Sequence, residues 1–239
     1  MRAIRLFLLG MLATVPAAAQ DAPAPPVKVT LDIGFVNTSG NTDVTSLNAG
    51  EKMEYAAHRL TLTQSFSTVY ARVSGVTNAS LWKAGARADY RVAGPVGVFA
   101  LGGVERNTLA GIERRFEEAA GLTAQVLKSH GNDLKFEAGI SMNQQTPVSA
   151  ATVTFAAGRA ATMYRRDLTA TAFLTLNGEV LPNFEETDDY RLNGDANLVA
   201  PISRRIASKL TYTVKFDNLP EAGFEKMDRV FTAGLQITF

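Results

Sequence analysis

The chain has 239 residues, with 24 Lys and Arg against 23 Asp and Glu, two His and no Cys. A charge this close to zero gives no electrostatic footprint for nucleic acid, and the lack of cysteine excludes disulfides, thiolate catalysis and cysteine metal sites. Hydrophobic residues make up 46%, so the medium they face must be read from their spacing.

At the N-terminus Met1-Arg2-Ala3-Ile4-Arg5 is a short basic stretch, 6–15 is apolar, and Ala17-Ala18-Ala19 supplies a small-x-small pattern. That is the form of a secretory signal peptide, 1–19, too short and wrongly flanked for a membrane helix. Cleavage after Gln20 is the alternative. Residues 20–26 form a Pro/Ala-rich tether that can neither pair in a sheet nor continue a helix. Without Arg2 and Arg5 the basic and acidic counts differ by one. No later segment approaches the roughly 18 to 20 apolar residues of a spanning helix. An exported chain of this kind that enters a bilayer does so as a closed barrel, the other structure that satisfies its backbone there.

From residue 27 onward apolar and polar residues alternate between turn signals, and helical stripes are scarce. Twelve strands are predicted: 27–38, 44–55, 59–71, 79–92, 97–108 and 115–128, then 133–144, 151–164, 167–180, 188–200, 204–217 and 229–239. Each reaches the roughly 9 to 11 residues that cross a bilayer when tilted. An even number places both termini on one side, the periplasmic side for an outer-membrane barrel. The last strand alternates most strictly, with Phe231, Ala233, Leu235, Ile237 and Phe239 on one parity.

Phase separates the faces. In 133–144, Leu134, Phe136, Ala138, Ile140 and Met142 oppose Lys135, Glu137, Gly139, Ser141 and Asn143. In 204–217, Ile206, Leu210, Tyr212, Val214 and Phe216 oppose Lys209, Thr211, Thr213, Lys215 and Asp217. The aromatics fall in two groups: Tyr55, Tyr90, Phe136, Tyr164 and Phe239 near the periplasmic strand ends, and Tyr70, Trp82, Phe116, Tyr190, Phe216 and Phe231 near the other ends. Two such girdles mark the membrane interfaces and turn the apolar face outward. Three features resist this phasing. Glu51 and Arg159 sit on the apolar parity of their strands, and 97–108 has apolar residues on both parities. A bulge near Gly50 or Gly158, or a misread strand, would account for the two charges.

The inward parity carries Lys52, Lys83, Arg87, Arg91, Lys135, Arg191, Lys209 and Lys215 against Glu54, Asp89, Glu117, Glu137, Asp195 and Asp217, with Glu105 a further candidate. Barrels of about 8 strands are filled by side chains and those of 16 to 18 hold a channel; twelve lies between. The near balance of charge argues against a strongly anion-selective pore and favours salt-bridged side chains filling the interior. His58 and His130 both fall in predicted periplasmic turns, away from any Ser/His arrangement for hydrolysis, and no zinc or phosphate-loop spacing occurs. No enzyme activity or cofactor is expected. Glu179, Glu185, Glu186, Asp188 and Asp189, and then Asp217, Glu221, Glu225 and Asp228, gather around two predicted external loops, where weak Ca²⁺ or Mg²⁺ binding is expected if the carboxylates converge.

The first hairpin motif Asn37-Thr38-Ser39-Gly40-Asn41-Thr42-Asp43, together with Phe216-Asp217-Asn218-Leu219-Pro220, Gly223, Lys226, Asp228 and Gly234-Leu235 before the terminal Phe239, resembles the salt-induced outer-membrane protein family. The resemblance spans essentially the whole mature chain and implies an outer-membrane barrel of a Gram-negative bacterium, linked by name to salt or envelope stress. It brings no catalytic or binding residues with it. The sequence therefore reads as a single antiparallel up-and-down barrel, 27–239, non-enzymatic, serving either as a narrow, weakly selective channel or as a structural envelope protein. Its expected partners are outer-membrane lipid, lipopolysaccharide and the barrel-assembly machinery acting through the last strand. An adhesion or lipid-organising barrel and a soluble periplasmic β-sandwich are the alternatives.

Overall fold

The computed structural model describes residues 26–38, 44–73 and 76–239; the signal peptide, the tether up to Pro25 and the motif residues 39–43 lie outside these. Twelve strands form: β1 (Val27–Thr38), β2 (Val44–Ala57), β3 (Leu60–Val73), β4 (Val76–Ala93), β5 (Val96–Asn107) and β6 (Ile112–Ser129). The second half adds β7 (Asn132–Pro147), β8 (Val153–Asp167), β9 (Phe173–Pro182), β10 (Tyr190–Pro201), β11 (Ile206–Asp217) and β12 (Met227–Thr238). Every strand pairs antiparallel with its chain neighbours, and β1 pairs with β12 to close the ring. This is the up-and-down barrel predicted, not a two-sheet sandwich.

The strand boundaries differ most at β8 and β9. The alternation of 167–172 predicts strand, but Leu168–Ala172 turns instead: the Leu168 N–H donates to the Ala172 carbonyl at 2.8 Å, and Thr169 Oγ1 accepts from the Ala172 N–H at 2.9 Å. A threonine hydroxyl thus supplies the turn without Gly or Pro. The register shifts all lie toward strand ends, between Ala71 and Arg72, Arg91 and Ala93, Glu105 and Asn107, Ile112 and Arg114, and Gln125 and Leu127. There a bulge ends pairing or increases twist at the rim.

The seam is the shortest pairing. β1 meets β12 over four residue pairs, Thr30↔Thr238 to Ile33↔Leu235, whereas β2 and β3 stay in register from Val44↔Val73 to Ala57↔Leu60. Above the paired segment Gly234 lies so close to β1 that a Cβ there would run into the Ile33 carbonyl, so closure requires glycine at that position.

The barrel is inside-out relative to a soluble domain. Its buried set holds as many polar side chains as apolar ones: Glu105, Asn107, Arg115, Glu137, Asn143 and Arg191 are shielded, alongside Phe99, Ile112, Phe155, Leu181 and Val199. Leu62, Ile140 and Leu235 are 41%, 65% and 43% exposed. An apolar face of this extent, wrapped around every strand, suits a hydrocarbon surround and would be unfavourable in water.

Candidate functional site

The interior is where chemistry is concentrated. β7 sets its phase: Glu137, Ser141 and Asn143 are buried while Phe136, Ile140 and Met142 are exposed. Cross-strand pairing carries that phase around the ring. Arg159 of β8 lies opposite Gly139, on the inward parity shared with Phe155, Ala157 and Ala161. Of the two explanations for Arg159 on the apolar parity, a bulge or a misread strand, the second holds. No bulge is involved: β8 simply turns apolar residues inward and Thr154, Ala156, Gly158, Ala160 and Thr162 outward. In β5 the odd residues Phe99, Glu105 and Asn107 face inward and are buried, which settles the strand whose phase was ambiguous.

Lys83, Arg87, Asp89, Arg91, Glu117, Lys135, Glu137, Arg191, Asp195, Lys209, Lys215 and Asp217 all lie on the inward parity of their strands. The structure joins many of them. Glu137, its side chain fully buried, accepts from Arg159 Nη1 at 2.6 Å and from Arg87 Nη1 at 3.1 Å. Arg87 also donates to Asp89 and Arg159 to Glu179, each at 2.7 Å through its Nε. Both guanidinium carbons stand over the Phe99 ring, 4.7 and 5.0 Å from its centre, where the ring's negative face favours them. Arg87 and Glu137 belong to strands three apart in the ring, so their pair is a chord across the interior.

A second group forms a longer chord. Glu105 on β5 accepts from Arg115 Nη1 at 2.9 Å and from Lys215 Nζ at 3.2 Å. Lys215 is on β11, six strands from β5 in a ring of twelve and therefore on the opposite wall. Arg115 further donates to Gln145 Oε1, and Gln145 Nε2 donates to Glu221 Oε1 at 2.9 Å. Arg191 on β10 donates to Asn143 on β7 at 2.9 Å and stacks on Phe155 at 5.6 Å. Nearer the termini, Lys209 Nζ donates to Asp32 Oδ2 at 2.6 Å. Among the described residues, cavities of about 370 and 470 Å³ share Lys83, Asn107, Asp195, Thr213, Lys215 and Asp228 in their walls.

The mouth opposite the termini is covered by the β11–β12 loop. Pro220, Glu225 and Lys226 border the larger cavity. The Phe224 ring packs on Gly111, in the β5–β6 connection on the far wall, so tightly that a Cβ on Gly111 would fall 2.6 Å from it. Gly111 also has a φ of 70°; conformation and space both call for glycine there.

Sequence reasoning missed Asp32 and the two buried rings, Phe99 and Phe155; it had Asn143 on the polar face of its strand and Arg159 as an exception to the phasing. Glu179 was grouped with an external acidic loop, but it lies inside and pairs with Arg159; Asp217 and Asp228 likewise line the interior. Glu185, Glu186, Asp189, Asp217 and Glu221 border one shared cleft at the mouth, but among the described residues no three His, Asp or Glu side chains are placed to hold a metal ion. His58 and His130 occupy the β2–β3 and β6–β7 turns, His58 with a φ of 52°. Tyr55, Tyr70, Trp82, Tyr90, Phe116, Phe136, Tyr164, Tyr190, Phe216, Phe231 and Phe239 all fall on the outward parity, toward one rim or the other. Tyr190 and Phe216 meet with ring centres 5.9 Å apart, and Tyr164 Oη donates to Asn132 at 2.8 Å.

A family model described as a protein of unknown function, DUF481, matches residues 31–239. The chain belongs to this family. It is also similar to the uncharacterized protein YdiY of Escherichia coli (strain K12), with 25% identity covering 98% of this chain and 95% of that protein. The family resemblance read from the hairpin and the C-terminal strands is thus borne out. Among solved structures the NanC porin is 7% identical, with 88% of this chain and 98% of that chain covered and a TM-score of 0.51. The translocator domain of the autotransporter NalP from Neisseria meningitidis is 13% identical, with 92% and 90% covered and a TM-score of 0.49. The family member described here thus has the fold of an outer-membrane barrel.

Proposed function

We propose that this DUF481 member is a non-enzymatic barrel of the Gram-negative outer membrane, exported by its signal peptide, whose interior is braced shut to serve an envelope-stabilising role. The observation that carries this reading is the Glu105–Lys215 contact across the full ring beneath the loop held by Phe224. A chain built to conduct would leave its midline open; here ion pairs on the shielded carboxylates of Glu105 and Glu137 cross it. Lipid and lipopolysaccharide would contact the outward face, and β12, with its terminal Phe239, would present the strand that assembly machinery engages. The same reading accommodates a role under salt or other envelope stress, which a deletion strain grown in high salt, acid or detergent tests.

The two cavities that meet at Lys83 and Lys215 favour a second reading, a narrow and weakly selective channel gated at the brace. Recording in planar bilayers separates the two. The braced reading expects silence from the wild type and stepwise conductance from the double variant Glu105→Ala, Lys215→Ala. Steady steps from the unmodified protein would support the channel and refute the braced barrel.

A further inference from the structure

The outward wall formed by β2 to β6 carries charged and amide side chains at mid-strand. Glu51 lies between Leu31 and Phe66, both outward and exposed, in strand pairings without a register shift. Its outward direction is therefore real, not a slip of phase. One cross-strand row reads Gln64, Ala86, Gly102 and Glu118 across β3, β4, β5 and β6. Ala84, Ala88, Ala100 and Ala120 surround it on the same face. Gln64, Ala86 and Gly102 line a groove of about 510 Å³ walled by Met53, Tyr55 and Leu62. The opposite wall, β9 to β12, presents Leu176, Leu192, Leu198, Leu210, Tyr212 and Phe231 beside outward glycines of its own, Gly178 and Gly194, and its one outward charge, Arg229, lies near the strand end rather than at mid-strand.

Two observations show that this wall is incomplete on its own. Among the described residues, the side chains of Glu51, Gln64 and Glu118 have no hydrogen bond or ion pair within the chain. In a hydrocarbon surround each is unfavourable, because nothing there replaces its water. Gly102 is the second. It has no positive φ, and a Cβ placed on it meets nothing within 4 Å. Its own chain gives no reason for glycine, which on a sheet face marks the close approach of another backbone.

We infer that the β2–β6 wall is the contact surface of a two-fold dimer of this chain within the membrane, an inference that rests on the outer-membrane reading above. A two-fold contact runs the Gln64–Glu118 row against its own copy in reverse, so that each Gln64 amide, the donor, meets a Glu118 carboxylate, the acceptor. Its Ala and Gly floor lets two sheet walls approach backbone to backbone, the way small residues mediate association where lipid provides no hydrophobic drive. Dimerisation removes Gln64 and Glu118 from lipid and fills the groove.

The cysteine-free chain allows a clean test. Gly102→Cys and, as a second probe, Ala100→Cys are placed in vesicles at high lipid-to-protein ratio and oxidised, with Leu210→Cys as the far-wall control. The inference expects a predominant disulfide dimer for the first two and only a trace for the control. Gly102→Trp should lose the dimer in sedimentation equilibrium while keeping heat-modifiable migration. Both probes remaining monomeric in protein that has inserted, or equal cross-linking at Leu210→Cys, would overturn the dimer and leave the membrane barrel standing. Failure of the wild type to insert at all would instead overturn the barrel placement, and the dimer with it.

Discussion

Exchanging Glu137 for Gln keeps its volume and removes the one negative charge held between two arginines. The carboxylate is fully buried and is reached by Arg159 Nη1 at 2.6 Å. Deleting one member of a buried ion pair costs roughly 3 to 5 kcal/mol, because the partner is left desolvated and uncompensated. Here Arg87 keeps Asp89 and Arg159 keeps Glu179, each at 2.7 Å. The loss should therefore lie at the low end, about 3 kcal/mol. Arg165–Asp167 at the rim is the contrast: both side chains are 45% exposed, and Asp167→Asn should cost about 0 to 1 kcal/mol. Urea titration in lipid vesicles, followed by the emission of Trp82, the sole tryptophan, reads both. With a denaturant slope of about 1 to 3 kcal/mol per molar, Glu137→Gln should lower the midpoint by about 1 M or more. If the two variants shift the midpoint equally, the interior chord is not holding the barrel and the argument from Glu105 and Lys215 weakens with it.

Other substitutions probe the outer face and the seam. Ile140 is outward at mid-strand, so Ile140→Arg should destabilise the inserted protein by roughly 2 to 4 kcal/mol, whereas the same change in a water-facing residue would be near neutral in the same titration. Gly234→Val should prevent closure, because its Cβ meets the Ile33 carbonyl; on a cold gel the compact heat-modifiable band should disappear. Trp82 sits on the outward face opposite Arg106, near the rim away from the termini. Lipids brominated close to the headgroup should therefore quench it more than lipids brominated at the chain terminus, and the reverse order would show the aromatic girdle misplaced.

Much of the fold is local and could be read directly. Strand spacing, the even count and the inward parity of Lys83 or Lys209 follow from period-2 alternation, which each segment carries by itself. The β8–β9 turn escaped because Thr169 makes it with a hydroxyl, while the apolar alternation runs on through the turn. Arg159 escaped for a related reason. β8 places Phe155, Ala157 and Ala161 inward, so the parity rule, which assumes an apolar exterior, reverses in that strand.

Twelve amphipathic strands, each with a greasy face and a charged face, are legible in the order of residues, since side-chain period is a property of the backbone alone. Only the closed ring decided which charges meet. Arg87 with Glu137, and Glu105 with Lys215, are separated by 50 and 110 positions. Their approach depends on strand number and stagger around the cylinder, quantities that no single strand encodes.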